Sequence, residues 1–198
     1  MNPIFEAAHE IEQVCRAEGF SFCFIGGLAV QRWGEPRMTA DVDLTLMTGF
    51  GGEARFVDAL LSAFRGRLPD ARSFALDNRT LLLVATNGTP IDLSLGAMPF
   101  EERAVERSSG FDVGSGVCLT TCSAEDLVVH KAFAAREKDW LDVRGIALRQ
   151  GASLDQVLIW DELRPLLELR DDPRIEERLT ALLALASPQG GPPARKTK

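Results

Sequence analysis

A chain of 198 residues, 45% apolar and 26% charged, is long enough for one globular domain, or for one domain with a helical extension. Its net charge of −7 argues against non-specific DNA binding, which needs a basic field, yet leaves room for a local basic patch that grips one RNA end. No apolar run approaches the roughly 18 residues of a membrane-spanning helix, so no membrane partner is expected.

The first 20 residues carry Ile4, Ala8, Ile11, Val14 and Cys15 on one stripe and read as an amphipathic helix. They lack the charged start and continuous apolar stretch of a secretion signal, so the expected compartment is the cytoplasm. Ser21–Ile25 is a short strand that ends at Gly26-Gly27, and Leu28–Trp33 adds one or two helical turns before Gly34 and Pro36 stop them. Asp41–Met47 alternates acidic or hydroxyl residues with Val42, Leu44 and Leu46, the pattern of a half-buried strand. A glycine loop then leads to a helix over 53–64 and to a polar connection. Thr80–Ala85 and Pro90–Leu95 are strands joined by the hairpin signal Asn87-Gly88. Residues 98–107 read as a helix and 111–119 as extended.

From Ser123 the period is helical throughout, beginning at a capping box, Ser123-Ala-Glu-Asp126, with helices at about 123–135, 138–150, 153–169 and 173–186. The last residues, 187–198, are rich in Pro and Gly and are expected to be disordered. The expected architecture is therefore an α/β (α+β) core over 1–122, a mixed β-sheet flanked by helices, followed by a helical region over 123–186. Four cysteines form no C-x-x-C pair and there are two histidines. A zinc site is thus disfavoured, and the cysteines are expected to be buried and reduced.

Three acidic positions carry the chemistry. Asp41 and Asp43 are two apart in a strand, so both project from one face while the apolar residues occupy the other. Asp92 sits between Ile91 and Leu93 and also points away from its strand's apolar side. If the two strands neighbour each other, three carboxylates converge. Such a group repels itself unless a cation is present, and hard divalent cations take oxygen ligands. Two ions roughly 3.5–4 Å apart can clamp the attacking and leaving oxygens of a phosphoryl centre. Gly26 and Gly27, at a strand-to-helix junction, let backbone N–H groups approach a phosphate. Each piece alone has a plain reading: a solvated strand face, an ordinary turn, a polar hairpin position. In this order along the chain they point to a site.

These residues, FIGGLAVQRWGEPRMTADVDL (24–44) and PIDLSL (90–95), resemble the polymerase-β-like nucleotidyltransferase superfamily. The segment SAEDLVVHKAFAAREKDWLDV (123–143) resembles the helical segment of AbiEii-type bacterial nucleotidyltransferases of type IV toxin–antitoxin pairs, with its K…R-x-x-D arrangement. The resemblance implies an NTP bound across the sheet and two Mg²⁺ ions held by Asp41, Asp43 and Asp92. The resemblance also implies that Asp92 would take the acceptor's proton. Gly26 and Gly27 would hold the β- and γ-phosphates. Lys131 is a candidate catalytic cation for triphosphate or transition-state charge, or else a solvated helix lysine. Arg37 and Thr39 precede the D-x-D and are candidate phosphate contacts, whereas Arg136 and Asp139 are spaced for an ion pair, structural or catalytic. Trp33 and His130 read as packing residues.

The leading expectation is a Mg-dependent enzyme that transfers a nucleoside monophosphate to a tRNA end, a protein or a small molecule and releases pyrophosphate. The alternative is a catalytically silent nucleotide-binding protein or toxin–antitoxin partner, and a cognate antitoxin is a candidate partner in either case.

Overall fold

A computed structural model describes residues 2–170 and 172–186; the predicted disordered tail, 187–198, lies outside the described residues. Seven strands form one mixed sheet in the order β3-β4-β5-β2-β1-β7-β6. They are β1 (Phe22–Phe24), β2 (Val42–Met47), β3 (Arg65–Gly66), β4 (Thr80–Val84), β5 (Pro90–Gly96), β6 (Ser109–Gly114) and β7 (Val117–Thr121). The β2–β5 and β1–β7 pairs are parallel and the others antiparallel.

The alternation seen in the sequence sorts the two sides of this sheet. Phe22, Phe24, Val42, Leu44, Leu46, Leu81, Leu83, Ile91, Leu93 and Leu95 face one way. They pack under α1 (Pro3–Ala17), α3 (Glu53–Ala63) and α4 (Ala71–Asn78). Each such side chain taken fully from water contributes about 1.5–3 kcal/mol. Helix α1 uses the predicted stripe, and the Asn2 side chain caps it by accepting from the Ile4 N–H at 3.0 Å.

A second core forms on the other side, where Cys23 of β1 points, out of step with Phe22 and Phe24. It unites α2 (Gly26–Trp33) and α5 (Pro99–Glu106) with the late helices α6 (Ala124–Ala134), α7 (Glu137–Gln150), α8 (Gln156–Leu167) and α9 (Arg174–Leu183). Ser123 caps α6 as expected, accepting from the Asp126 N–H at 3.0 Å. The Asp126 carboxylate turns to the Ser123 hydroxyl and to Arg107.

Three expectations are corrected. The polar connection after residue 64 contains β3 and α4. Strand β3 is two residues long and α4 buries only Ala71 and Ala75, too little pattern for either to be read from sequence. The extended stretch 111–119 is a hairpin, β6–β7, turning through Gly114, Ser115 and Gly116, all at positive φ. Cys118, expected in the core, is exposed on that hairpin, while Cys15, Cys23 and Cys122 are buried.

Candidate active site

Parallel pairing of β2 with β5 sets Val42 opposite Ile91 and Asp43 opposite Asp92. With the apolar neighbours committed to the core, both carboxylates emerge side by side on the opposite face, and Asp41 joins them one residue before β2 begins. Ligand oxygens of Asp41, Asp43 and Asp92 lie within 4.8 Å of one another. The chain hairpin Asn87–Gly88 makes this possible by returning β5 along β4 and into register with β2.

The glycine pair abuts this cluster. Gly26 and Gly27 open α2 itself, so the junction is a helix N-terminus rather than a separate turn. Gly26 adopts φ +58°, and a Cβ there would sit 1.9 Å from Asp43 Oδ2. A Cβ on Gly27 would sit 2.4 Å from Thr39 Oγ1. Glycine is thus required because Asp43 and Thr39 occupy the space a side chain would need. The Gly27 N–H donates to Asp43 Oδ2 at 3.4 Å, and Thr39 Oγ1 donates to Asp41 Oδ1 at 2.9 Å. Thr39 therefore touches the first carboxylate directly and orients it.

Beside the cluster runs a second set of charges. Lys131, nearly buried on α6, pairs with Asp139 (3.0 Å) and Asp142 (2.9 Å) of α7. Arg136 pairs with Asp139 and holds it with two bonds (2.5 and 3.2 Å), so the predicted ion pair forms. Arg37 grips Asp142 through two bonds at 2.8 and 2.9 Å. The chain of charges Arg136–Asp139–Lys131–Asp142–Arg37 has three cations and two anions, one net positive charge. It lies within electrostatic range of the cluster: Lys131 opposes the burial-driven rise of the Asp43 pKa. Hydrogen bonds to Asp142 and Asp139 are the main cause of the raised Arg37 and Arg136 values, and Asp41 and Asp43 add to those rises respectively.

The two sets of aspartates titrate in opposite directions. Burial raises the Asp43 carboxyl above its ordinary value and the charge of Asp41 adds to it, with the Gly27 N–H opposing. Burial also raises Asp92, against the pull of Arg67, whose guanidinium pairs with it. For Asp139 and Asp142 burial again pushes upward. Hydrogen bonds from Arg136 and Lys131, and from Arg37 and Lys131, outweigh it and bring both below the usual carboxylate range.

Sequence reasoning missed Asp142 and Arg67. Asp142 had a readable signal, one helical turn beyond Asp139 on the same face of α7. Arg67 had none, since only the pairing of β3 brings it near. Trp33 and His130 pack as expected. The Trp33 indole donates to the Cys122 carbonyl at 2.8 Å, and His130 stands edge-on to Phe100, its pKa lowered by burial.

No protein-family model matches the chain, and no curated protein matches it either. Among solved structures it is similar to an antigenic nucleotidyltransferase-like protein from Paracoccidioides brasiliensis. The two share 16% identity over 91% of this chain and 94% of that one, with a TM-score of 0.51. The chain has a nucleotidyltransferase-like fold. A structure of ANT(2″)-Ia in complex with adenylyl-2″-tobramycin also aligns, at 14% identity, over 91% of this chain and 97% of that one, with a TM-score of 0.45.

Proposed function

We propose that this chain is a Mg²⁺-dependent nucleotidyltransferase that moves a nucleoside monophosphate from an NTP to an acceptor hydroxyl or phosphate. The observation that carries this reading is the convergence of Asp41, Asp43 and Asp92 within 4.8 Å, against a glycine-opened helix start. The residues suit a hard divalent ion. All three offer oxygen, Asp43 is destabilised as an anion by burial and by Asp41, and a glycine leaves its Oδ2 room against the backbone. Bound there, two Mg²⁺ ions would neutralise charge and clamp the attacking and leaving oxygens.

The chain's own groups divide the remaining work. Asp41, oriented by Thr39, and Asp43 hold the metal side of the site. The backbone at Gly26–Gly27 receives the β- and γ-phosphates at the positive end of α2. Lys131, Arg37 and Arg136 set a net positive charge beside the triphosphate, and Asp139 and Asp142 hold those cations in place. Asp92, at the side away from α2, takes the proton from the acceptor oxygen as that oxygen bonds to the α-phosphorus. The bond from the α-phosphorus to its bridging oxygen breaks, and pyrophosphate leaves.

The subfamily we propose is AbiEii-type, on the strength of the 123–143 segment and its Lys131…Arg136-x-x-Asp139 arrangement. A tRNA end, a protein side chain and a small molecule are the acceptors to compare, and a cognate antitoxin is the partner to seek. Incubation with each labelled NTP, Mg²⁺ and total tRNA should yield labelled product and pyrophosphate. Replacing both Asp41 and Asp43 by Ala should lower the yield at least about 100-fold. Labelling that survives the double substitution unchanged would sink the assignment.

A further inference from the structure

Among the described residues, Arg67 is the one cation in ion-pair contact with the three carboxylates. Strand pairing brings it there. Arg67 directly follows β3 and donates its backbone N–H to the Leu82 carbonyl at 2.9 Å, continuing the β3–β4 register. Leu82 stands opposite Asp92, and Asp92 opposite Asp43. Side chains at paired positions share a face, so Arg67, Leu82, Asp92 and Asp43 form one row across the sheet. In the strand order, α2 and its glycines lie beyond β2, while Arg67 lies beyond β5. It therefore reaches Asp92 from the side opposite the phosphate-binding helix.

The contact is accessible. The Arg67 side chain is 28% exposed and that of Asp92 35%, so solvent and ions reach both. An ion pair of that exposure is weak enough to exchange. Among the described residues the other two carboxylates have no such partner: Asp41 accepts from a hydroxyl and Asp43 from a backbone N–H. Three crowded carboxylates thus meet one guanidinium, placed on the outermost of them.

We propose that Arg67 is a positioning residue that holds Asp92 in place of a metal ion and is exchanged off it when a divalent cation binds the cluster. The inference rests on the metal-site reading above. An Asp92 oxygen that ligates a divalent ion is drawn toward Asp41 and Asp43. The guanidinium then faces the like charge of the ion, and both effects weaken its hold. Before loading, Arg67 keeps the Asp92 carboxylate aimed into the row and lessens the mutual repulsion of the cluster.

The test is Mn²⁺ binding to the full chain at fixed ionic strength, read from the paramagnetic resonance signal of the free ion. Four proteins are compared: wild type, Arg67→Gln, Asp92→Asn and the double variant, with Arg67→Lys as a fifth. Arg67→Gln should bind Mn²⁺ about fivefold more tightly than wild type, and Arg67→Lys should lie between them. In the Asp92→Asn background the Arg67→Gln change should have no effect, because the competition acts through Asp92. Equal affinity in wild type and Arg67→Gln would overturn the exchange and leave the metal site standing. So would an equal gain in both backgrounds, which marks long-range charge alone. Failure of both wild type and Arg67→Gln to bind Mn²⁺ overturns the metal-site reading, and the exchange with it.

Discussion

Five aspartates meet around one site, and the fold treats them in opposite ways. Asp139 and Asp142, on one turn of α7, are each gripped by an arginine and share Lys131. Their pKa values fall even though burial pushes them up. Asp41, Asp43 and Asp92 are as crowded, yet the fold supplies them a hydroxyl, a distant backbone N–H and one half-exposed guanidinium. The same residue type is satisfied in one place and left wanting in the other. A satisfied carboxylate holds structure, whereas the unsatisfied set is where, on the proposed function, a divalent cation would bind.

The largest test of that contrast is Lys131→Met. Losing one partner of a buried ion pair typically costs about 3–5 kcal/mol, but Asp139 keeps Arg136 and Asp142 keeps Arg37. A loss near 3 kcal/mol is expected in urea unfolding. A loss below about 1 kcal/mol would mean that Arg136 and Arg37 satisfy the two aspartates without Lys131.

Acid and base should separate the two sets next. Asp139 and Asp142, with lowered pKa values, contribute stability that is present above the ordinary carboxylate range and lost as pH falls through their folded values. Asp43 and Asp92, with raised values, act in reverse: their contribution is full below the ordinary carboxylate pKa and is lost as pH rises through their folded values. In unfolding measured in a metal chelator, the contribution of these four groups to stability should therefore be greatest near the ordinary carboxylate pKa, declining on both sides. Saturating Mg²⁺ should remove the decline on the neutral side only.

The smallest effect sharpens the same point. Asp43→Asn in chelator at neutral pH should stabilise the chain by about 0.5–1 kcal/mol, as relieving strain at a functional site commonly does. In Mg²⁺ the ranking should reverse, with wild type gaining more in thermal unfolding than the variant.

Much of this was legible because it depends on local pattern. Alternation in 41–47 and 90–95 decided which way each aspartate points, independently of any partner. The helical period after Ser123 located α6 and α7, and with them Lys131, Arg136 and Asp139. Asp142 was within reach of the same spacing. Strand β3 and helix α4 were not, since a two-residue strand gains its pairing wholly from β4 and α4 buries two alanines.

What the sequence by itself determined was the sidedness of its strands and the residue types available on each side. The tertiary structure alone decided that β5 pairs in parallel with β2, putting Asp92 opposite Asp43. It also decided that α6 and α7 meet so that Lys131 answers Asp142 and Arg37 closes the chain of charges. Contacts between residues far apart in the chain depend on strand order and helix packing, which no local periodicity encodes. The three aspartates were visible one by one; only the sheet brought them together.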